Sequence, residues 1–179
     1  MLEVTARKGL TKQNLCKGIT LLELLITLSV MSILLSLAAP SFTNLIAKVR
    51  LASVADELYS SLQLARTEAV KRAVKVEICP SDDGVECLPG NDWNSGWMVW
   101  YATGGSEIEV LRVKASVSPR VVIETTASKL EFESAGQAST EADLKVSVVG
   151  GEAVFRHICL WPSGQVTIEK NAVCPGDEA

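Results

Sequence analysis

The run from Ile19 to Ala39, ITLLELLITLSVMSILLSLAA, is apolar almost without interruption, and it limits what this chain can become. About 20 residues of helix rise about 30 Å, enough to cross a bilayer. Arg7, Lys8, Lys12 and Lys17 precede the run against one acid, Glu3, a bias that predicts an N-terminus retained in the cytoplasm. Glu23 breaks the pattern. A carboxylate buried in lipid costs about 3 kcal/mol, so an acid near the start of this run needs a partner.

Three readings of the segment compete. An ordinary secretory signal has the same charged and apolar regions, and Ser36-Leu37-Ala38 before Ala39 resembles a small-residue cleavage site. That reading gives Glu23 no role, and neither does a generic single-pass anchor. In the third reading the chain is cut after Gly18, which frees the amino group of Ile19 as an ammonium partner for Glu23 within the lipid layer.

The residues Lys17-Gly18-Ile19-Thr20-Leu21-Leu22-Glu23-Leu24-Leu25 resemble the K-G-[FMI]-T-L-[IL]-E-[LM]-L signature of type IV prepilins and type II secretion pseudopilins. The resemblance implies that a prepilin peptidase of the inner membrane cuts between Gly18 and Ile19 and methylates the new N-terminus. Glu23 then stands at the fifth mature position and Pro40 at the twenty-second, where these proteins usually carry a kinking proline. Ile19 replaces the commoner Phe. Pro40 also has a plain physical reading, since a proline inside a helix removes one backbone bond and bends the axis, or else ends the helix.

Beyond Pro40, Leu51, Val54, Ala55, Leu58, Leu62, Ala65 and Ala69 recur at spacings of three and four, with Asp56, Glu57, Arg66, Glu68, Lys71 and Arg72 among them. This is the period of an amphipathic helix. No Gly or Pro interrupts Ser41 to Lys75, which predicts one rod of roughly 80 Å from Ile19. The mechanism that follows is assembly by helix bundling, with Glu23 setting register because a misaligned subunit leaves a carboxylate unpaired.

After Lys75 the pattern shortens to β-rich runs at Val74–Ile78, Trp97–Tyr101, Glu107–Val113, Val121–Thr125, Leu130–Phe132, Leu144–Val149, Val154–Trp161 and Gln165–Glu169, divided by Gly, Pro, Asn and Asp turns. The expected fold is α+β, a long N-terminal helix packed on an antiparallel β-rich head of two small sheets. The expected division is 1–18 leader, 19–40 membrane part of the helix, 41–75 its amphipathic part, and 76–179 head.

The segment LYSSLQLARTEAVKR from Leu58 to Arg72, then Ile78-Cys79-Pro80-Ser81 and Trp93 to Val99 (WNSGWMV), resemble the FimT/FimU minor pilins, which are related to the GspH pseudopilins. That resemblance implies a β-rich head and a place in the minor-subunit complex that primes a pilus and stays at its tip. The partners it implies are the prepilin peptidase, other minor and major pilins or pseudopilins, and the inner membrane. Some such pilins resemble DNA receptors and carry a G-R-x-R loop; here the stretch reads Gly164-Gln165-Val166-Thr167, without either arginine. Of 17 basic and 21 acidic residues, four and one fall in the first eighteen positions, leaving a net charge of about −7 on the rest. DNA binding rests on cations facing phosphates, so DNA is not the favoured partner.

Cys16 lies on the cytoplasmic side of the apolar run, leaving Cys79, Cys87, Cys159 and Cys174 on the exported part. Four cysteines in an oxidising compartment read as two disulfides, with three connectivities possible. Proximity favours Cys79 with Cys87 and Cys159 with Cys174. Zinc is not expected, because no C-x-x-C is present and His157 is read as one residue out of alternation with Cys159. Redox catalysis lacks the same motif.

Trp93, Trp97, Trp100 and Tyr101 form an aromatic cluster that is read as core, with Trp97, Val99 and Tyr101 on one strand face and Met98 and Trp100 on the other. His157 has no nucleophile beside it and is read as a strand residue; Glu131 and Glu133 are read as an exposed strand face. No catalytic constellation and no cofactor are expected. The expectation is a structural subunit: a minor pilin priming a type IV pilus, with a GspH-type secretion pseudopilin and a DNA-binding pilin as the alternatives.

Overall fold

The computed structural model describes residues 19–104 and 107–174, apart from the side chains of 37–41, 44, 104 and 151–153. The expected leader, with Cys16 and Gly18, lies outside the described residues. The fold divides into two compact units, Met1–Ser41 and Phe42–Ala179, and a single helix, α1 (Leu21–Arg72), contributes to both. Pro40 falls within α1 and does not end it.

The start of α1 is fixed locally. Thr20 is its N-cap: its carbonyl accepts from the Leu24 N–H (3.1 Å) and its Oγ1 from the Glu23 N–H (3.2 Å). Thr20 and Glu23 thus have the spacing of a capping box, in which a threonine hydroxyl satisfies an amide that the helix leaves unpaired.

The C-terminal end comes at Arg72, three residues short of the expected Lys75. Ala73 turns into the left-handed region (φ 56°), and the Val74 N–H bonds back to the Ala69 carbonyl at 3.2 Å. This is a Schellman-type closure built on alanine where glycine is the usual residue. With no Gly or Pro to mark it, this helix end carries no sequence signal.

Among the described residues the second unit has eight strands. One antiparallel sheet has the order β3 (Glu107–Ala115), β2 (Gly96–Gly104), β1 (Val76–Pro80), β5 (Leu130–Phe132). The other has the order β4 (Val121–Glu124), β6 (Ala142–Val148), β7 (Gly151–Leu160), β8 (Val166–Lys170). The register places Val76 beside Tyr101 and Phe132, and Ile78 beside Val99 and Leu130, all facing inward. In the second sheet Ile123, Leu144, Val146, Ile158, Leu160 and Val166 do the same. Both inner faces and the stripe Leu51, Val54, Ala55, Leu58, Leu62, Ala65 and Ala69 of α1 form one core. The helix stripe is buried because apolar area removed from water contributes about 25 cal/mol per Å², which no isolated amphipathic helix can gain alone.

The WNSGWMV segment joins these layers. Trp93 is fully buried and its Nε1–H donates to the Ala127 carbonyl (2.8 Å), while Asn94 Oδ1 accepts the Ile123 N–H (2.8 Å), tying the turn before β2 to β4. Trp97 is also fully buried, and its Nε1–H donates to the Oγ of Ser61 on α1 (3.0 Å), itself a donor to the Glu57 carbonyl (2.9 Å). Both buried indoles of this segment thus have a partner, as burial requires, whereas the half-buried Trp100 on the other face of β2 leaves its Nε1–H without one among the described residues.

Candidate functional site

From Leu21 to Ser36 every side chain of α1 is exposed, including Leu22, Leu25, Leu28, Ile33 and Leu34, each more than half exposed. A surface this apolar on all sides is not stable in water. Its hydroxyls are already satisfied: Thr27 donates to the Leu24 carbonyl (2.9 Å), Ser29 to Leu25 (2.8 Å), Ser32 to Ser29 (2.8 Å) and Ser36 to Ile33 (2.7 Å). Hydroxyls bonded back to their own helix present little polarity to an apolar surrounding. The one ionisable group in this stretch is Glu23, which is exposed one turn from Ile19. Its position in the first turn also places it where the helix dipole favours a negative charge. This second role is absent from the reading of Glu23 as an ammonium partner alone, although T-x-x-E before an apolar run is a signature of helix starts.

Among the described residues, no helix is long and apolar enough to cross a membrane.

In the second unit the remaining candidates separate. Trp97 and Tyr101 face the core and Trp100 the outer face of the first sheet, so the four aromatic rings form no shared stacking platform. Tyr101 lies under Arg72, whose guanidinium carbon is 4.6 Å from the ring centroid, and its hydroxyl donates to Glu109. That hydrogen bond and burial push the phenol up, with Arg72 opposing them. Glu131 is half-buried, not exposed: Lys129 (2.6 Å) and Lys75 (3.5 Å) flank it, and the Lys129 hydrogen bond holds its carboxyl below the usual range. Glu77, its neighbour across the strands, is pushed up by burial.

The stretch that stands where a G-R-x-R loop would be expected is a packing contact. Gly164 has φ 76°, and a Cβ there would lie 1.8 Å from the Gly136 carbonyl oxygen. Arg66 of α1 donates from Nε to that oxygen (3.1 Å) and from Nη2 to the Ser163 carbonyl (3.2 Å). The nearest arginine therefore clamps two turns.

Cys79 is bonded to Cys87 and Cys159 to Cys174. Loops of these lengths, 8 and 15 residues, are worth about 2.5 and about 3 kcal/mol through the entropy of the unfolded chain. The second ties the C-terminal segment across the outer face of the sheet. His157 is on that same face. Its expected misalignment with Cys159 is wrong: residues two apart in β7 share a side, and the register sets Cys159 beside Asp143 and His157 beside Lys145. His157 is buried, and its Nδ1 lies 2.7 Å from both carboxylate oxygens of Asp143.

Comparison with known proteins places these features. Residues 54–164 match the family described as type II transport protein GspH, and residues 13–39 match the prokaryotic N-terminal methylation motif. The fold is similar to the type IV minor pilin FimU of Pseudomonas aeruginosa (strain PAO1), at 23% identity and a TM-score of 0.56 over 69% of this chain and 94% of that one. A second crystal form of FimU gives 24%, 0.54, 69% and 98%. The minor pseudopilin EpsH from the type 2 secretion system of Vibrio cholerae is similar at 13% identity and a TM-score of 0.53, over 68% and 97%. At such identities the likeness concerns the fold. No curated protein matches the chain.

Proposed function

The chain belongs to the family described as type II transport protein GspH, and from that premise we propose that it is a structural subunit of a pilin-like filament, a minor pilin that primes a type IV pilus and stays at its tip. The observation that carries the proposal is the helix from Leu21 to Ser36, apolar on every side and bearing one carboxylate, Glu23, inside a match to the N-terminal methylation motif. In this reading prepilin peptidase cuts between Gly18 and Ile19 and methylates Ile19, residues 19–40 anchor the subunit in the inner membrane, and Pro40 bends the helix. The apolar helix then leaves the lipid only by packing against similar helices of other pilins. Glu23 sets the register through the terminal ammonium of a neighbour, since an unpaired carboxylate there is disfavoured. The head, pinned by its two disulfides, stays outside.

Intact mass of the membrane-extracted protein tests this, comparing wild type with Gly18→Ala and with a strain lacking prepilin peptidase. The expected mass begins at Ile19 and includes one methyl group, and both controls lose it. A mass beginning at Ala39 would reduce the chain to an ordinary secreted β domain.

The family match itself favours a second reading, a pseudopilin of a type II secretion machine. The two separate in a deletion strain: loss of twitching with secretion intact supports the pilus, and the reverse supports the secretion machine. DNA binding stays the least favoured reading, since the chain beyond the leader is acidic and Arg66 is committed to carbonyl oxygens.

A further inference from the structure

The outer face of the second sheet gathers four groups that ligate thiophilic metals. A carboxylate oxygen of Asp143, a ring nitrogen of His157 and the Sγ of Cys174 lie within 4.8 Å of one another, and Cys159, bonded to Cys174, is the strand neighbour of Asp143. His157, Cys159 and Cys174 are all buried. A cavity of about 620 Å³ lined by Asp143, Cys159 and Cys174 opens to the surface there and offers a path for an ion. The charges flanking His157 across the strands, Lys145 and Glu169, are opposite in sign, and Lys145 is engaged by Glu124 at 3.0 Å.

The chain is synthesised with free thiols, and the disulfide closes only after export to an oxidising compartment. We propose that in this thiol state Cys159, Cys174 and His157, with Asp143 as fourth ligand or as the group orienting the imidazole, bind one zinc-like divalent cation. The geometry suits it. Tetrahedral zinc with bonds of about 2.3 Å to sulfur holds two thiolates about 3.8 Å apart, and the two α-carbons are 5.6 Å apart in the closed bridge, so rotation of the side chains opens the sulfurs without moving the strands. Two thiols release their protons to solvent as the cation enters, and no electrons are transferred. Closure of the disulfide removes both sulfur ligands and abolishes the site. The C-terminal segment is thereby fastened in both states, by a metal before oxidation and by a covalent bond after it.

The test uses the full chain in detergent, oxidised or reduced with a phosphine, titrated with Co²⁺ and then Zn²⁺. The reduced chain is expected to take one Co²⁺ with the absorption of a tetrahedral thiolate complex, displaced by one Zn²⁺, and the oxidised chain to take none. His157→Gln, which leaves the disulfide able to form and so can be checked for folding in the oxidised state, is expected to weaken binding at least tenfold. Cys79→Ser with Cys87→Ser is expected to leave it unchanged. Absence of binding in the reduced wild type, equal binding by the oxidised chain, or a signal that follows Cys79 and Cys87 in place of Cys159 and Cys174 would each overturn the proposal.

Discussion

Two stretches of α1 meet opposite surroundings. Between Leu21 and Ser36 all side chains are exposed, whereas between Leu51 and Ala69 seven apolar residues at helical spacing are buried. Both stretches are helical, both are rich in leucine and alanine or serine, and in both several hydroxyls bond back to carbonyls of the helix itself. What differs is where the apolar residues fall around the axis. On one side only, they can be covered by the chain's own sheets; on all sides, they need lipid or other helices. A helix can therefore state in its own pattern whether its partner is inside or outside the molecule.

Substitution separates the two stretches most sharply at leucine. Leu62→Ala is expected to destabilise the head by about 4 kcal/mol through lost burial and the cavity left behind, and Leu28→Ala to leave it unchanged, as read by denaturant unfolding of the detergent-solubilised chain with near-ultraviolet circular dichroism. Equal losses would mean that the two stretches are not distinct. Next in size, Glu23→Gln keeps the shape of the side chain and removes its charge; incorporation into filaments is expected to fall about hundredfold, from about 3 kcal/mol, with head stability unaltered. Quantitative immunoblotting of sheared filaments against membrane pools measures it, and full incorporation of the variant would remove Glu23 from the assembly argument.

Acid sharpens the contrast from the side of the head. Asp83, lowered by the Val85 and Glu86 amides, Asp92, lowered chiefly by the Ser95 hydroxyl, and Glu131, lowered by Lys129, all have folded-state values below the unfolded ones. Their stabilisation is complete above the ordinary carboxylate range and is lost as pH falls through the lowered values. The head's unfolding midpoint should drop as pH is taken from neutral to strongly acid, with Glu131→Gln removing roughly 1 kcal/mol of that dependence. Glu77 has the opposite sign. Burial raises its carboxyl, so its ionised form opposes folding, and Glu77→Gln is expected to stabilise by roughly 0.5 kcal/mol at neutral pH and by nothing once the carboxyl is protonated. A pH dependence unchanged from that of the wild type in both variants would refute the assigned environments.

The strands were legible because period-two alternation bounded by Gly, Pro, Asn and Asp turns says both where a strand lies and which side it buries. Trp97 and Trp100 could thus be placed on opposite faces before any packing was known. The end of α1 was not legible, since Ala73 gives no warning that it takes a left-handed conformation. Nor was the neighbourhood of His157: Asp143 and Cys174 come to it through strand pairing and a disulfide, across fourteen and seventeen positions of sequence, and no local pattern encodes such contacts.

The sequence by itself determined the apolar helix with its lone Glu23, the amphipathic continuation and the β-rich head, because each is a matter of local period and charge. Only the tertiary structure decided which cysteines bond, that the turn at Gly164 closes onto Gly136 under Arg66, and that Asp143, His157 and Cys174 converge. Such contacts depend on the order and register of strands distant in the chain, and that order is fixed when the inner faces of two sheets compete to cover one side of the same helix.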